Sequence, residues 1–357
     1  HIRFHANLTG ARWDEARKLW VVKAEDGRVF EGEVLVSGMG GLSNPAYPNV
    51  PGIERFEGRA FHSATWDHGF DLNDKRVAVI GSGASAIQFV PAIAPKVAHL
   101  TYFQRTPPWV VPKMDRPVRP DERADFKANP WRQQLARTKL YWMLEARFLA
   151  FKFKPEWMNL VAKVGKHRIR KHIKDPALQA KLTPDYTPGC KRLLISNEYY
   201  PALARTNVTV VTEGIERVEP KGVVTKDGQF HEVDAIIFGT GFKVQDPIPK
   251  GTVFGRNGAD LAEVWKQGAE AHMGIAVAGF PNFFMLMGPN TGLGHNSMVF
   301  MIESQAHYII EAIKAMKEQR IRALDVKPEV QKQFVDGVQK ELERTVWQSG
   351  CKSWYIN

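Results

Sequence analysis

Apolar residues fall along this chain in two rhythms, one alternating and one helical. Short β-rich runs occupy 19–23 and 28–35, and Asp26-Gly27 between them makes a good hairpin turn, so the opening segment predicts a small β-meander. The second run leads through Val34-Leu35-Val36 into Ser37-Gly38-Met39-Gly40-Gly41. That pattern predicts a buried strand ending in a glycine loop, where backbone can approach a ligand closely. A βαβ-like unit is predicted over 76–105: an apolar strand at 76–80, a tight turn over 81–86, a helix towards Ala94 disturbed at Pro91, and a strand over 99–105 ended by Thr106-Pro107-Pro108. Strand character returns at 208–212 and Val223-Val224, turns at Asp227-Gly228, and reappears in a buried run at 233–238 that ends in Gly239-Thr240-Gly241-Phe242. The helical rhythm is clearest over 297–316, with a stripe through Met298, Met301, Ile302, Ile309, Ile313 and Met316.

Between 112 and 189 the pattern changes character. Residues 131–174 read as mostly helical and very basic, with Lys163, Lys166, Arg168, Arg170, Lys171 and Lys174 crowded together. Such a run reads first as a solvated face, and second as a membrane-surface or partner-binding face. The greasiest long stretch, 140–153, is interrupted by Glu145, Arg147 and Lys152, and no apolar run is long enough to span a bilayer. A Pro-rich stretch over 44–52 reads as a connector between domains.

Composition narrows the function. At 357 residues with 44% hydrophobic and 24% charged, the chain is globular and long enough for two or three domains. The net charge of +11 favours anionic partners: a phosphorylated cofactor, nucleic acid or an acidic surface. None of the usual nucleic-acid motifs is present, so nucleic acid is not expected. The two cysteines, Cys190 and Cys351, form neither a disulfide framework nor a metal-ligand pattern, which predicts a reducing cytoplasm and no metal. The chain opens at His1 inside strand-like sequence and has no initiating methionine or signal peptide, so it reads as a fragment or a processed piece.

The turn after the strand at 76–80 carries specific chemistry. Gly81-x-Gly83-x-x-Ala86 fits the dinucleotide fingerprint, with a strand before it and a helix after it. Gly81 permits the tight turn, Gly83 lets backbone reach a pyrophosphate, and Ala86 allows close helix–strand packing. The helix start then offers free N–H groups to the phosphates. Gly81, Ser82, Gly83, Ala84, Ser85 and Gln88 are therefore cofactor-binding candidates. The next strand ends in Gln104-Arg105-Thr106, where an NAD site would carry a carboxylate. A guanidinium can clamp a 2′-phosphate that a carboxylate would repel, so Arg105 predicts NADPH; the plainer alternative is a surface charge.

Immediately upstream, Phe56, Gly58, His62, Trp66 and Asp67 fall at the spacing F-x-G-x-x-x-H-x-x-x-W-[P/D]. This resembles the fingerprint of the Baeyer–Villiger monooxygenases, placed just before the NADPH turn as that family has it. The likeness extends through 103–109, through Gly189-Cys190-Lys191-Arg192-Leu193, and through Phe238-Gly239-Thr240-Gly241-Phe242, where Gly239 replaces the usual alanine. It also covers Gly288-Pro289-Asn290-Thr291-Gly292, His295-Asn296-Ser297-Met298, and Cys351-Lys352-Ser353-Trp354-Tyr355.

The resemblance implies an α/β fold with two dinucleotide-binding (Rossmann-like) domains. The implied division is a partial FAD-binding domain with interdomain linker over 1–70 and 190–357, an NADPH-binding Rossmann core over 71–111, and a helical insertion over 112–189. It implies an FAD- and NADPH-dependent enzyme that inserts one atom of O2 into a ketone through a C4a-peroxyflavin, giving an ester or lactone. The alternatives are heteroatom (S or N) oxygenation or a non-catalytic NADPH-binding fragment. Partners would be a small ketone and O2, with neither nucleic acid nor membrane contact expected. Lys191 would join Arg105 and Thr106 around the 2′-phosphate, while Gly38, Thr240, Gly241, Asn290 and Met298 would line the flavin site. Arg192, His62, Trp66 and Asp67 are the catalytic candidates. Arg192 stands nearest the chemistry, because a permanent guanidinium charge can hold a growing anion. His62 is implied to shape the interdomain linker in response to NADPH. Taken alone, Lys191-Arg192 could equally be a solvated pair, and Asn296-Ser297 a plain N-cap that also aims a helix dipole at the flavin. No GxGxxG precedes Gly38, so the chain as given is expected to hold NADPH and to bind FAD weakly or not at all.

Overall fold

The computed structural model describes residues 2–244, 248–292 and 297–351, with 353 and 355. The chain divides into two compact units, one drawn from His1–Asn44 and Lys243–Thr345, the other from Pro45–Phe242 and Val346–Ser353.

The second unit is built on a five-stranded, fully parallel sheet. Its order is Val208–Val211, His99–Phe103, Arg76–Ile80, Ala235–Phe238, Arg59–His62. Interior strands of such a sheet are covered on both faces and read as unbroken apolar runs, as Val77 to Ile80 and Ala235 to Phe238 do. Alternate residues then serve opposite faces. Val77, Val79, Leu100, Tyr102 and Ile237 pack with residues of the helices Ala86–Ile93 and Tyr199–Leu203, while Ala78, Ile80, Phe103, Ile236 and Phe238 pack with residues of an antiparallel meander. That meander comprises Ile215–Glu219, Gly222–Thr225 and Phe230–Glu232. The helix Ala86–Ile93 contains Pro91 without breaking. The basic region forms the helices Pro130–Glu145, Phe148–Lys152 and Met158–His172. Pro130–Glu145 buries no residue, so the apolar stretch that begins at Leu140 lies largely exposed, with Trp142 at 65%. Met158–His172 turns Met158, Gly165 and Ile169 inward, so the basic run is the outer face of a packed helix.

Cys190 and Cys351 are joined by a disulfide across 161 residues of sequence. This corrects the expectation of no disulfide, and with it the ground for expecting a reducing compartment. A pairing made by tertiary approach leaves no trace in local spacing. Cys190 is fully buried, and Trp347 lies against Phe151 at 5.8 Å between ring centroids.

In the first unit, Leu8–Asp14, Leu19–Ala24 and Val29–Gly32 form the antiparallel meander, with Val253–Phe254 added in parallel to Leu8–Asp14. The turn at Gly27 has φ of 86°, as a glycine hairpin requires. Trp13, Trp20, Phe280 and Phe283 centre its core. The strand Leu35–Ser37 pairs in parallel with Phe283–Met285 but is not buried as expected: Val36 is 42% exposed, while Leu35 and Ser37, on the opposite face, are partly buried. The long helix is Met298–Glu318, of which the predicted stripe buries Ile309 and Met316 fully and Met298, Met301, Ile302 and Ile313 partly.

Candidate functional site

The glycine turn sits where the parallel sheet delivers it, at the carboxyl end of the central strand Arg76–Ile80 and ahead of Ala86–Ile93. Gly81 has φ of 109°, and a Cβ there would lie 2.3 Å from the carbonyl oxygen of Gly239. No other residue type fits that position. Gly83 is the opposite case: a Cβ there meets nothing within 4 Å, so the space above it is open for a ligand. Ser82 Oγ donates to the Thr106 carbonyl at 2.8 Å, tying the turn to the end of the neighbouring strand. Ala84 and Ser85 continue the turn, and Gln88 Nε2 donates to the Ala84 carbonyl at 2.8 Å. At Gly239 an added Cβ would make ordinary van der Waals contacts, 3.4 Å from the Ala86 Cβ and 3.5 Å from the Gly81 and Ile80 carbonyl oxygens. The alanine usual in the motif would therefore fit, and its loss here costs the geometry little.

Arg105 follows directly on the strand end and is exposed, with Thr106 half-buried beside it. Gln104 just before it is 1% exposed, accepts from Tyr199 Oη at 3.1 Å and donates to the Lys181 carbonyl at 3.1 Å. Lys191 stands near enough to Arg105 for their charges to interact. Partial burial, then the Arg105 charge, holds its ammonium below the usual lysine range, with Asp185 partly offsetting. None of Arg105, Lys191 and Arg192 makes an ion pair with a carboxylate among the described residues. Neighbouring cations that no carboxylate pairs directly repel one another, and an anionic ligand relieves that repulsion. Arg192 is exposed on the same short segment.

The upstream fingerprint is read residue by residue from its contacts. Gly58 has no room for a Cβ, which would lie 2.4 Å from the Asp234 carbonyl oxygen. Trp66 packs edge-on against Phe61 and Phe89 at 5.3 and 5.4 Å, locking this segment to the helix after the glycine turn. Asp67 pairs with Arg59 at 2.6 Å and accepts from the Gly69 N–H at 3.0 Å. His62 is fully buried, with its ring edge-on to Tyr47 and Phe242. Its Nδ1 accepts from the Ala64 N–H at 3.1 Å, while Nε2 is buried without a hydrogen bond that meets ordinary geometry among the described residues. Such an atom is costly to leave unpaired, and the Gly241 backbone is the polar group that acts on the ring.

Burial pushes the His62 imidazole below its ordinary 6.5, with the Gly241 backbone partly offsetting. A depressed value in the folded state means that the unfolded chain binds the proton first. The stability that neutral His62 contributes is therefore complete above about pH 6.5 and is lost as pH falls through the folded value. Thermal melts of His62→Gln should lose less stability on acidification below 6.5 than the wild type; an identical pH dependence would refute this.

Thr240 Oγ1 bonds the Ala46 carbonyl, and Gly241 takes φ of 82° beside it, both at the carboxyl end of Ala235–Phe238. In the other unit, Gly38 is exposed with open space where a Cβ would be. Asn290 is exposed at φ of 62° in a turn closed by Thr291 Oγ1 donating to the Gly288 carbonyl at 2.6 Å. Met298 begins the long helix, and Ser297 holds its N-cap position without a side-chain cap bond, so the plain N-cap expected of its hydroxyl is not formed. His295, Asn296, Lys352 and Trp354 lie outside the described residues. Sequence reasoning missed Tyr186, whose ring lies under Lys191 with Nζ 4.8 Å from the ring centroid. Its nearness to the Lys-Arg pair was the one available signal. No group of three metal-ligating side chains and no helix long and apolar enough to cross a membrane occurs among the described residues.

A sequence profile of the flavin-binding monooxygenase-like family matches residues 12–267, and the chain belongs to that family. Within it the likeness is to the Baeyer–Villiger class. The chain is 55% identical over 346 residues to a Baeyer–Villiger monooxygenase of Pseudomonas aeruginosa, covering 97% of this chain and 66% of that protein. It is 46% identical over 359 residues to a Baeyer–Villiger monooxygenase of Streptomyces coelicolor, covering 100% of this chain and 69% of the relative. It thus spans about two thirds of the length of these relatives. Among solved structures, cyclohexanone monooxygenase from Rhodococcus sp. Phi1 bound to NADP+ superimposes with a TM-score of 0.88 at 30% identity, covering all of this chain and 74% of that one. A complex of OTEMO with FAD and NADP gives a TM-score of 0.88 at 27% identity, covering all of this chain and 75% of that one. The α/β architecture with its Rossmann-type sheet is that of these enzymes.

Proposed function

We propose that the chain is the NADPH-binding and substrate-oxygenating portion of a Baeyer–Villiger monooxygenase that converts a ketone to an ester or lactone. The observation that carries this reading is the cation pair Arg105 and Lys191, without an ion-paired carboxylate among the described residues, together with a glycine turn that leaves open space above Gly83. Gly83 and the N–H groups at the start of Ala86–Ile93 receive the pyrophosphate, with Ser82, Ala84, Ser85 and Gln88 around it. Arg105, Thr106 and Lys191 hold the 2′-phosphate, which selects NADPH over NADH. His62 keeps a neutral imidazole buried against Tyr47 and Phe242, and shapes this segment in response to nucleotide. Trp66 and Asp67 position that segment through packing and an ion pair. Arg192 holds the negative charge that develops on the substrate oxygen, a role that needs a cation unable to lose its proton.

Gly38, Thr240, Gly241, Asn290 and Met298 are assigned to FAD, which when bound supplies the ring that activates O2. The test supplies the whole protein with FAD, NADPH and either a cyclic ketone or a thioether. Lactone from the ketone is expected. Sulfoxide without any lactone would move the enzyme to the heteroatom-oxygenating class.

A further inference from the structure

The cation at the 2′-phosphate position is not left to solvent, and the way it is held has a definite origin. Lys191 Nζ lies 4.8 Å from the centroid of the Tyr186 ring, on a segment where the plainer expectation was a solvated basic pair. Tyr186 is half-buried, and burial pushes its hydroxyl up to about 12, so it stays neutral and its ring keeps the negative face that attracts a cation. The backbone that carries the ring is held in turn. Trp109 Nε1 donates to the Tyr186 carbonyl at 2.7 Å, and Trp109 is 2% exposed. Trp109 packs against Gly165 of the helix Met158–His172 so closely that a Cβ on Gly165 would lie 2.7 Å from the indole. A chain of contacts therefore runs from the basic helical insertion, through one indole, to the main chain of the residue whose ring carries the Lys191 ammonium.

We infer that Tyr186 is a specificity-determining positioning residue, which holds Lys191 at the 2′-phosphate and which Trp109 anchors to the helical insertion. The inference rests on the NADPH reading above. Lysine has a flexible four-carbon stem, and pinning its head on a ring removes rotamer freedom that would otherwise be lost on binding. Without the ring, Lys191 would still be charged but unplaced. The loss would fall on the nucleotide that carries a 2′-phosphate and would spare the one that does not.

Equilibrium titrations of NADP+ and NAD+ against the chain and its variants test this without turnover. Tyr186→Leu should raise the Kd for NADP+ by about 3- to 10-fold and leave that for NAD+ unchanged. Tyr186→Phe, which keeps the ring, should bind both as wild type does. If Tyr186→Leu weakens both nucleotides equally, or neither, while Arg105→Ala weakens NADP+ alone, the positioning role is wrong and the 2′-phosphate site stands. If Arg105→Ala leaves NADP+ binding untouched, the NADPH reading falls and this inference with it. Should Tyr186→Leu not fold, the folded wild type still decides. After reductive methylation with labelled formaldehyde, the Lys191 methyl resonances, assigned by their loss in Lys191→Arg, should be shifted upfield by the ring. Methyl resonances at the position of solvent-exposed lysines would overturn the inference.

Discussion

Arg192→Ala should leave NADPH oxidation by the whole protein in place while lowering ester formation by roughly 10²–10³-fold. The reason lies in where charge develops. Attack on a ketone carbonyl gathers negative charge on its oxygen, and a preorganised cation acts on that charge more strongly than on the neutral ground state. Arg192 is exposed and has no ion-pair partner among the described residues, so its charge is not already spent on a carboxylate. Nucleotide binding is assigned to its neighbour Lys191, which the substitution leaves intact. Following NADPH loss by absorbance and ester by gas chromatography separates the two functions. Equal loss of both would make Arg192 a binding residue, and full retention of ester would remove it from the chemistry. Lysine at 192 should recover only part of the activity, since it lacks the planar, permanently charged fork.

The second large effect separates two glycines that look equivalent in the motif. Gly81→Ala should destabilise the second unit by about 3 kcal/mol or more, because φ of 109° is strained for any residue with a Cβ and the added atom would lie 2.3 Å from the Gly239 carbonyl oxygen. Gly83→Ala has open space, so it should fold with near-wild-type stability and yet weaken NADP+ by about 10-fold or more, its methyl occupying the pyrophosphate approach. Chemical denaturation and nucleotide titration of both variants check this. Two variants of equal stability, or a Gly83→Ala chain that binds NADP+ as wild type does, would contradict the assignment of turn and cradle.

How much of this could be read from the sequence depends on where the information lies. The strand–turn–helix around Gly81 was legible because central parallel strands are apolar on both faces and the turn needs glycine. The hairpin at Gly27 was legible for a similarly local reason. Leu8–Asp14 was legible only as strand-like sequence without bounds, because Ala11 and Trp13 alone are buried along it and exposed Leu8 breaks the pattern. Ile215–Glu219 and Phe230–Glu232 were missed because outer strands of a small meander carry exposed Glu216, Arg217 and Phe230, so their pairing, not their composition, makes them strands. Leu35–Ser37 was recognised, but its burial was not predictable from the run itself, since burial depends on what packs over each face of the strand. The cysteine pairing and the placement of Tyr186 beneath Lys191 are tertiary facts, and neither has a spacing rule. The motif residues announced a nucleotide, while the surroundings that tune them did not.

The most direct check on the dinucleotide site is a comparison of NADP+ and NAD+ binding to the wild-type chain by titration at one fixed, moderate salt concentration. The cations at Arg105 and Lys191 should bind NADP+ at least about 10-fold more tightly, from charge-assisted contacts to a 2′-phosphate. Equal affinity for the two nucleotides would mean that these cations do not face the ribose, and the reading of the chain as the NADPH-binding part of an oxygenase would fail.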